Sequence, residues 1–208
     1  MRPTGLLLDL DGTLIDSEPI QRAAYRAFFA ARAWPEPDLG LFTGRRAADV
    51  FANEPGPWTG HDPAVLTAEV LALVRRDVPP EPVPGADDLV RAAHAGGVPV
   101  AIVTSAQRPW VELAVTHLLD QVHLVVTADD VVDGKPDPSG FLLGCSRLGI
   151  EAAGAVAVED SLAGVRAARA AGVGHVVGIT TSRTHAELIA AGAHAAYDDL
   201  RPLADRLR

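Results

Sequence analysis

At 208 residues, 48% of them hydrophobic and 22% charged, the chain has the makeup of a soluble globular protein with room for one sizeable domain, or a core with an insert. Its 18 basic against 27 acidic residues, a net charge of −9, exclude a general nucleic-acid binder, which needs a basic face; a small anionic substrate stays open, because a metal ion or a few lysines can set the field of a pocket. The single cysteine, Cys145, excludes an intrachain disulfide, no apolar run is long enough to span a bilayer, and no signal-peptide pattern opens the chain, so a cytoplasmic location is the expectation.

Leu6, Leu7 and Leu8 predict a buried strand, and Asp9 and Asp11 stand at its end, followed by Gly12 and Thr13. Buried carboxylates are costly unless paired, hydrogen-bonded or bound to metal, so this pair asks for a function. Ile20, Ala23, Ala24, Ala27, Phe28 and Ala31 recur at helical spacing, and a loop with Pro35 and Pro37 breaks that helix. Two further helices are expected over 44–52 and 62–77; the second opens on an acid and a proline and closes on Arg75 and Arg76. Residues 15 to 78 thus read as all-helical. A linker or hinge follows over 78–88, carrying Pro79, Pro80, Pro82 and Pro84.

Beyond the prolines, helix and strand alternate. Apolar strands are expected within 98–104, 123–127, 155–159 and 173–180, and helices within 87–97, 108–119, 138–149, 161–172 and 184–192. Continuously apolar strands separated by helices predict a Rossmann-like parallel α/β sheet covered on both faces. If the first strand joins that sheet, residues 1–14 and 82–208 form an α/β core, and 15–81 an inserted helical cap above the strand ends. Ligands of such sheets bind at the carboxyl ends of the strands, where Asp9 and Asp11 lie.

Three strands end alike, in an apolar run followed by polar residues suited to phosphate or metal. The first ends in Asp9-Leu10-Asp11-Gly12-Thr13, another in Thr104-Ser105, a third in Glu159-Asp160-Ser161, and "DGKPDP" sets Lys135 in a tight loop before a helix. A calcium loop of the EF-hand type fails on spacing, because Leu14 takes the place of the glycine and Ile20 that of the final glutamate. "GKP" is no phosphate-binding P-loop, since proline stands at the Ser/Thr position. Ser161 is a candidate cap for the helix after it, with Gly172 closing that helix. The seven histidines show no metal-ligand spacing.

Together "DLDGTLIDSE", "VTSA", "GKPDP" and "VEDSLAGVRAARAAG" resemble, in order and separation, the four motifs of the haloacid dehalogenase-like superfamily. The helical insert after the first motif resembles the branch with beta-phosphoglucomutase, phosphoglycolate phosphatase and small sugar phosphatases. The resemblance implies that Asp9 attacks phosphorus to form an aspartyl phosphate and that Asp11 is the general acid and base. It implies Mg²⁺ held by the Asp9 carboxylate, the Asp11 backbone carbonyl and Asp160, with Glu159 supporting. By the same resemblance, Thr104 and the Ser105 amide are expected to bind phosphoryl oxygens, and Lys135 to offset charge on nucleophile and phosphoryl group.

Within the family, the presence of Asp11 argues against halide displacement, which needs no acid there. The absence of lysine from 15 to 80 argues against Schiff-base phosphonatase chemistry. Mutases of this branch usually carry a histidine ten residues after the second aspartate, where this chain has Gln21. The expectation is therefore a phosphatase acting on a small phosphorylated metabolite, sugar or polyol phosphate or phosphoglycolate-like, with no nucleic-acid or membrane partner, as a monomer or weak dimer. A sugar-phosphate mutase and an inactive binding or regulatory module of the same fold are the alternatives. Glu18, Gln21, Gly44, Arg45 and Arg46 are the candidates for substrate selection, and an arginine there suits a sugar hydroxyl or a second anionic group.

Overall fold

Three consecutive leucines cannot share one face of a strand, because successive side chains point to opposite sides. In the computed structural model, which describes residues 2–77 and 79–208, Leu6–Leu8 form strand β1. Met1 and Val78, the latter at the start of the proline-bearing linker, lie outside the described residues. Leu6 and Leu8 enter one buried cluster and Leu7 another, on the other face of the sheet. Both faces of β1 are therefore covered, as its run of apolar residues requires.

The remaining sheet strands are β4 (Val100–Val103), β5 (Leu124–Val126), β6 (Val156–Glu159), β7 (His175–Ile179) and β8 (Ala195–Tyr197). They pair in parallel in the order β5-β4-β1-β6-β7-β8. Helices α4 (Ala86–Ala95), α5 (Arg108–Val115) and α9 (Arg201–Leu207) cover the face of Leu6 and Leu8, through residues such as Leu89, Val111 and Leu203. Helices α6 (Ser139–Leu148), α7 (Leu162–Ala170) and α8 (His185–Ala191) cover the face of Leu7 with Phe141, Val165 and Leu188. Strand order reverses across β1, between β4 and β6, and a crevice opens at that point in such sheets. No helix among the described residues is long and apolar enough to cross a membrane.

The segment between β1 and β4 departs from an all-helical reading. Strand β2 (Ile15–Asp16) pairs antiparallel with β3 (Glu81–Pro82), so a two-stranded ribbon stands where the chain leaves and re-enters the sheet unit. Between them lie α1 (Glu18–Ala31), α2 (Ala47–Asn53) and α3 (Pro63–Leu73). The start of α2 falls three residues later than expected: Gly44 is left-handed at φ 73 and Arg46 is extended, so the helix cannot include them. Asp62 caps α3 by accepting the Ala64 amide at 2.8 Å. That helix stops at Leu73 because Val74 turns extended, which leaves Arg75 and Arg76 beyond it. These helices enclose a core of their own, in which Tyr25, Phe28, Phe29, Phe42, Phe51 and Trp58 are buried. Their rings meet mostly edge-on or tilted at 4.2 to 6.3 Å, contacts worth about 1 kcal/mol each beyond the area buried.

Candidate active site

Strand β1 delivers Asp9 to the crevice, and the Asp9 amide extends the ladder to Val158 O at 3.0 Å. The chain then turns sharply, with the amides of Leu14 and Ile15 both donating to Leu10 O at 2.9 and 3.1 Å. Gly12 makes this turn at φ 79, and a Cβ there would collide with the Asp160 carboxylate. The first and last motifs are thus packed in contact at a position only glycine can occupy.

Asp9, Lys135, Glu159 and Asp160 are all buried. Lys135 Nζ donates to Asp9 Oδ1 at 2.5 Å and to Val103 O at 3.0 Å, and it pairs with Glu159 Oε1 at 2.5 Å. Glu159 Oε2 accepts the Ser161 hydroxyl at 3.0 Å, and that hydroxyl also accepts the Gly164 amide, capping α7 as expected. Lys135 is the only lysine in the chain. Burial disfavours its charge, yet the attraction of Asp9 and Glu159 outweighs that cost and holds the ammonium above the usual lysine range.

Fully ionised, three carboxylates against one ammonium would leave two negative charges in a buried site. Asp9, Glu159 and Asp160 each offer an oxygen, and these atoms lie within 4.8 Å of one another. Both Asp160 oxygens are buried, and the polar group beside them is the Ser182 hydroxyl, which does not reach full hydrogen-bond geometry. Burial, and then the charges of Asp9 and Glu159, push the Asp160 carboxyl well above its ordinary range. Burial raises Glu159 as well, against the pull of Lys135. An all-oxygen donor set with unspent negative charge fits a hard divalent cation.

Asp11 stands apart from this cluster. Its Oδ1 accepts the Ser17 hydroxyl at 2.5 Å and the Trp110 indole Nε1–H at 2.9 Å. Gln21 donates to the Ser17 hydroxyl at 3.0 Å. Burial raises the Asp11 carboxyl to about 6, with the bonds from Ser17 and Trp110 opposing the rise and the charge of Asp9 adding to it.

Asp9 and Asp11 line a cavity of about 210 Å³ between the sheet tips and the helical segment. Thr104, Ser105, Gln21, Gly44, Arg45 and Arg46 line it too, with Tyr25, Phe42 and Trp110 among its apolar walls. Thr104 Oγ1 accepts the Ala106 amide at 3.0 Å, and the Ser105 hydroxyl donates to Gly44 O at 3.0 Å. Arg45 pairs with Glu54 at 2.7 Å. Arg46 pairs with Asp49 at 2.7 Å and donates to Val132 O at 2.6 Å and Val131 O at 3.2 Å, so it bridges to the loop that carries Lys135. Neither arginine is a freely solvated helix position. Glu18 is not brought to the cavity; its carboxylate pairs with Arg22 at 2.6 Å, one turn along α1.

Sequence reasoning missed Ser17 and Trp110. Trp110 is 99 residues from Asp11, and nothing in its spacing marks the bond. The uniqueness of Lys135 among 18 basic residues was a signal present in the sequence.

A doubly wound α/β fold that gathers buried acidic and cationic side chains at its strand tips has the arrangement of an enzyme's active site. The model of the haloacid dehalogenase-like hydrolases matches residues 3–172, and the chain is a member of that family. It is 41% identical over 182 residues to validoxylamine A 7'-phosphate phosphatase of Streptomyces hygroscopicus subsp. limoneus, with 85% of each chain covered. It is 34% identical to hexitol phosphatase A of Escherichia coli (strain K12), over 86% of this chain and 84% of that one. Among solved structures, a hydrolase from Pseudomonas syringae superposes with a TM-score of 0.86 at 25% identity, covering 99% of this chain and 98% of the other. The protein is a phosphatase, a phosphoric monoester hydrolase.

Proposed function

We propose that the protein hydrolyses a small phosphorylated polyol or sugar in a Mg²⁺-dependent reaction through an aspartyl phosphate on Asp9. The observation that carries this reading is the buried Lys135–Asp9 pair at 2.5 Å, beside the buried Asp160 carboxylate. A carboxylate is a weak nucleophile, and fixed geometry with charge neutralisation makes it effective. Lys135 supplies both by holding Oδ1 of Asp9 and, with the Ser105 amide and Thr104, meeting the phosphoryl oxygens.

Asp9, Asp160 and the Asp11 backbone carbonyl would hold the divalent ion, with Glu159 anchoring Lys135 beside them. When bound, that ion neutralises charge between the nucleophile and the phosphoryl group. An Asp9 oxygen bonds to phosphorus as the bond to the leaving alkoxide breaks, and Asp11 gives that alkoxide its proton. Asp11 then takes a proton from water, whose oxygen attacks phosphorus, and inorganic phosphate leaves with Asp9 restored.

Residues 15–81 act as a cap over this chemistry, joined to the core at the β2–β3 ribbon. The polyol or sugar class is supported by the activities of the relatives and by a cavity whose lining includes Gln21 and Arg45 as well as Asp9. Gln21 stands where mutases of this branch usually carry a histidine, which favours phosphate release over phosphoryl transfer between sugar hydroxyls.

The test is phosphate release with Mg²⁺ across hexitol, sugar and glycolate phosphates, compared by kcat/KM. Asp9→Asn is expected to lower turnover at least about 10³-fold on the best substrate. Wild-type protein that releases phosphate from none of them, or an Asp9→Asn protein with wild-type turnover, overturns the reading.

A further inference from the structure

Two donors fill one oxygen of the proton carrier. Asp11 Oδ1 accepts from Ser17 Oγ at 2.5 Å and from Trp110 Nε1 at 2.9 Å, while the Gln21 amide lies beside the carboxyl and donates to Ser17 at 3.0 Å. Asp11 lines the cavity and is only partly buried. The two donors differ in kind. A serine hydroxyl can rotate and accept, so Ser17 tolerates a proton on either oxygen of its partner. An indole N–H donates only, so Trp110 always claims acceptor capacity of Oδ1, and with the Ser17 hydroxyl donating beside it the proton is favoured on Oδ2. Its ring cannot turn away freely, because it packs against the apolar cluster beneath α5.

We infer that Trp110 is a positioning residue that confines the transferable proton of Asp11 to Oδ2, the oxygen left for the leaving group, an assignment that rests on Asp11 being the acid and base of the reaction. In the first step the Oδ2–H bond breaks as the phosphorus–alkoxide bond breaks, and the proton ends on the alkoxide oxygen. In the second step Oδ2 takes a proton from the attacking water. Throughout, Oδ1 remains the acceptor of two hydrogen bonds, and the carboxyl group does not rotate between steps.

The experiment compares kcat/KM for an alkyl phosphate, whose alkoxide needs a proton, with that for 4-nitrophenyl phosphate, whose phenolate leaves without one. It uses the full chain with Mg²⁺. Trp110→Phe keeps the ring and removes the N–H. It is expected to lower the alkyl value about 10- to 100-fold and to change the aryl value less than about threefold. Inhibition by inorganic phosphate is expected to stay at the wild-type level. Ser17→Ala leaves the donor-only indole in place, so its alkyl–aryl contrast should be smaller than that of Trp110→Phe. Asp11→Asn should show the largest contrast.

Equal losses on both substrates in Trp110→Phe, or no loss, overturn the role of Trp110 while the contrast in Asp11→Asn keeps Asp11 in place. A contrast in Ser17→Ala as large as that of Trp110→Phe also overturns it. Asp11→Asn protein that treats the two substrates alike removes Asp11 from proton transfer, and Trp110 with it.

Discussion

The carboxyl groups of Asp160, Glu159 and Asp11, all raised by burial, make the site's cost measurable in the metal-free protein. A carboxyl raised by burial is charged more readily in the unfolded chain than in the folded one. Its stabilising influence is therefore fully present below the unfolded value and is lost as pH rises through the folded value. For Asp11 that window runs from 3.8 to about 6, and Asp160 and Glu159 shift in the same direction. In chelator, the urea midpoint is expected to fall between pH 5 and pH 7.5, and Mg²⁺ should flatten that fall. Asp160→Asn removes one unpaired charge and is expected to stabilise the chelated protein by about 1–3 kcal/mol while abolishing most of the gain from Mg²⁺. Thermal melts with and without Mg²⁺ check this, and an Asp160→Asn protein that still gains as much as wild type would sink it.

Loops carry the site, and strands and helix starts hold the loops. The loop before α2 is seated on two motif loops at once: Gly44 O accepts from Ser105, and a Cβ at Gly44 would collide with the side chain of Ser161. With φ at 73, Gly44→Ala suffers both backbone strain and a clash, so a loss of about 2–4 kcal/mol is expected, with lower kcat/KM on every substrate. An unaltered melting temperature would contradict that contact. Elements of this kind differ in how plainly they are written. Strands β4 and β6 were legible as apolar runs, and their polar tips Thr104, Ser105, Glu159 and Asp160 with them. Strand β8 was not, because Ala195 and Ala196 carry little strand preference. Strands β2 and β3 have two residues each, too few for any periodicity. Ser17 and Trp110 were invisible because a side-chain hydrogen bond between distant elements leaves no local pattern.

Taken whole, the molecule has two kinds of core, and their independence can be tested. The aromatic cluster of α1, α2 and α3 shares no residue with the two clusters that flank the sheet. Several links between the segment from β2 to β3 and the sheet unit are hydrogen bonds to backbone carbonyls: Ser105 to Gly44, Arg46 to Val131 and Val132, and Arg183 to Gly40 at 2.7 Å. Such bonds contribute about 1 kcal/mol each, far less than a buried aromatic cluster, so the cap should open or unfold without melting the sheet. Phe28 sits at 1% exposure among Phe29, Trp34 and Phe51, and truncation to alanine costs about 3–5 kcal/mol where the cavity cannot collapse. In Phe28→Ala, native-state hydrogen exchange is expected to quicken at the amides of α1, α2 and α3 by about two orders of magnitude or more, the factor that such an energy implies. Amides of β1, β4 and β6 should exchange as in wild type at the same pH. If instead all of them quicken together, the chain unfolds as one unit, and residues 15–81 are a layer of a single domain and not a cap that moves by itself.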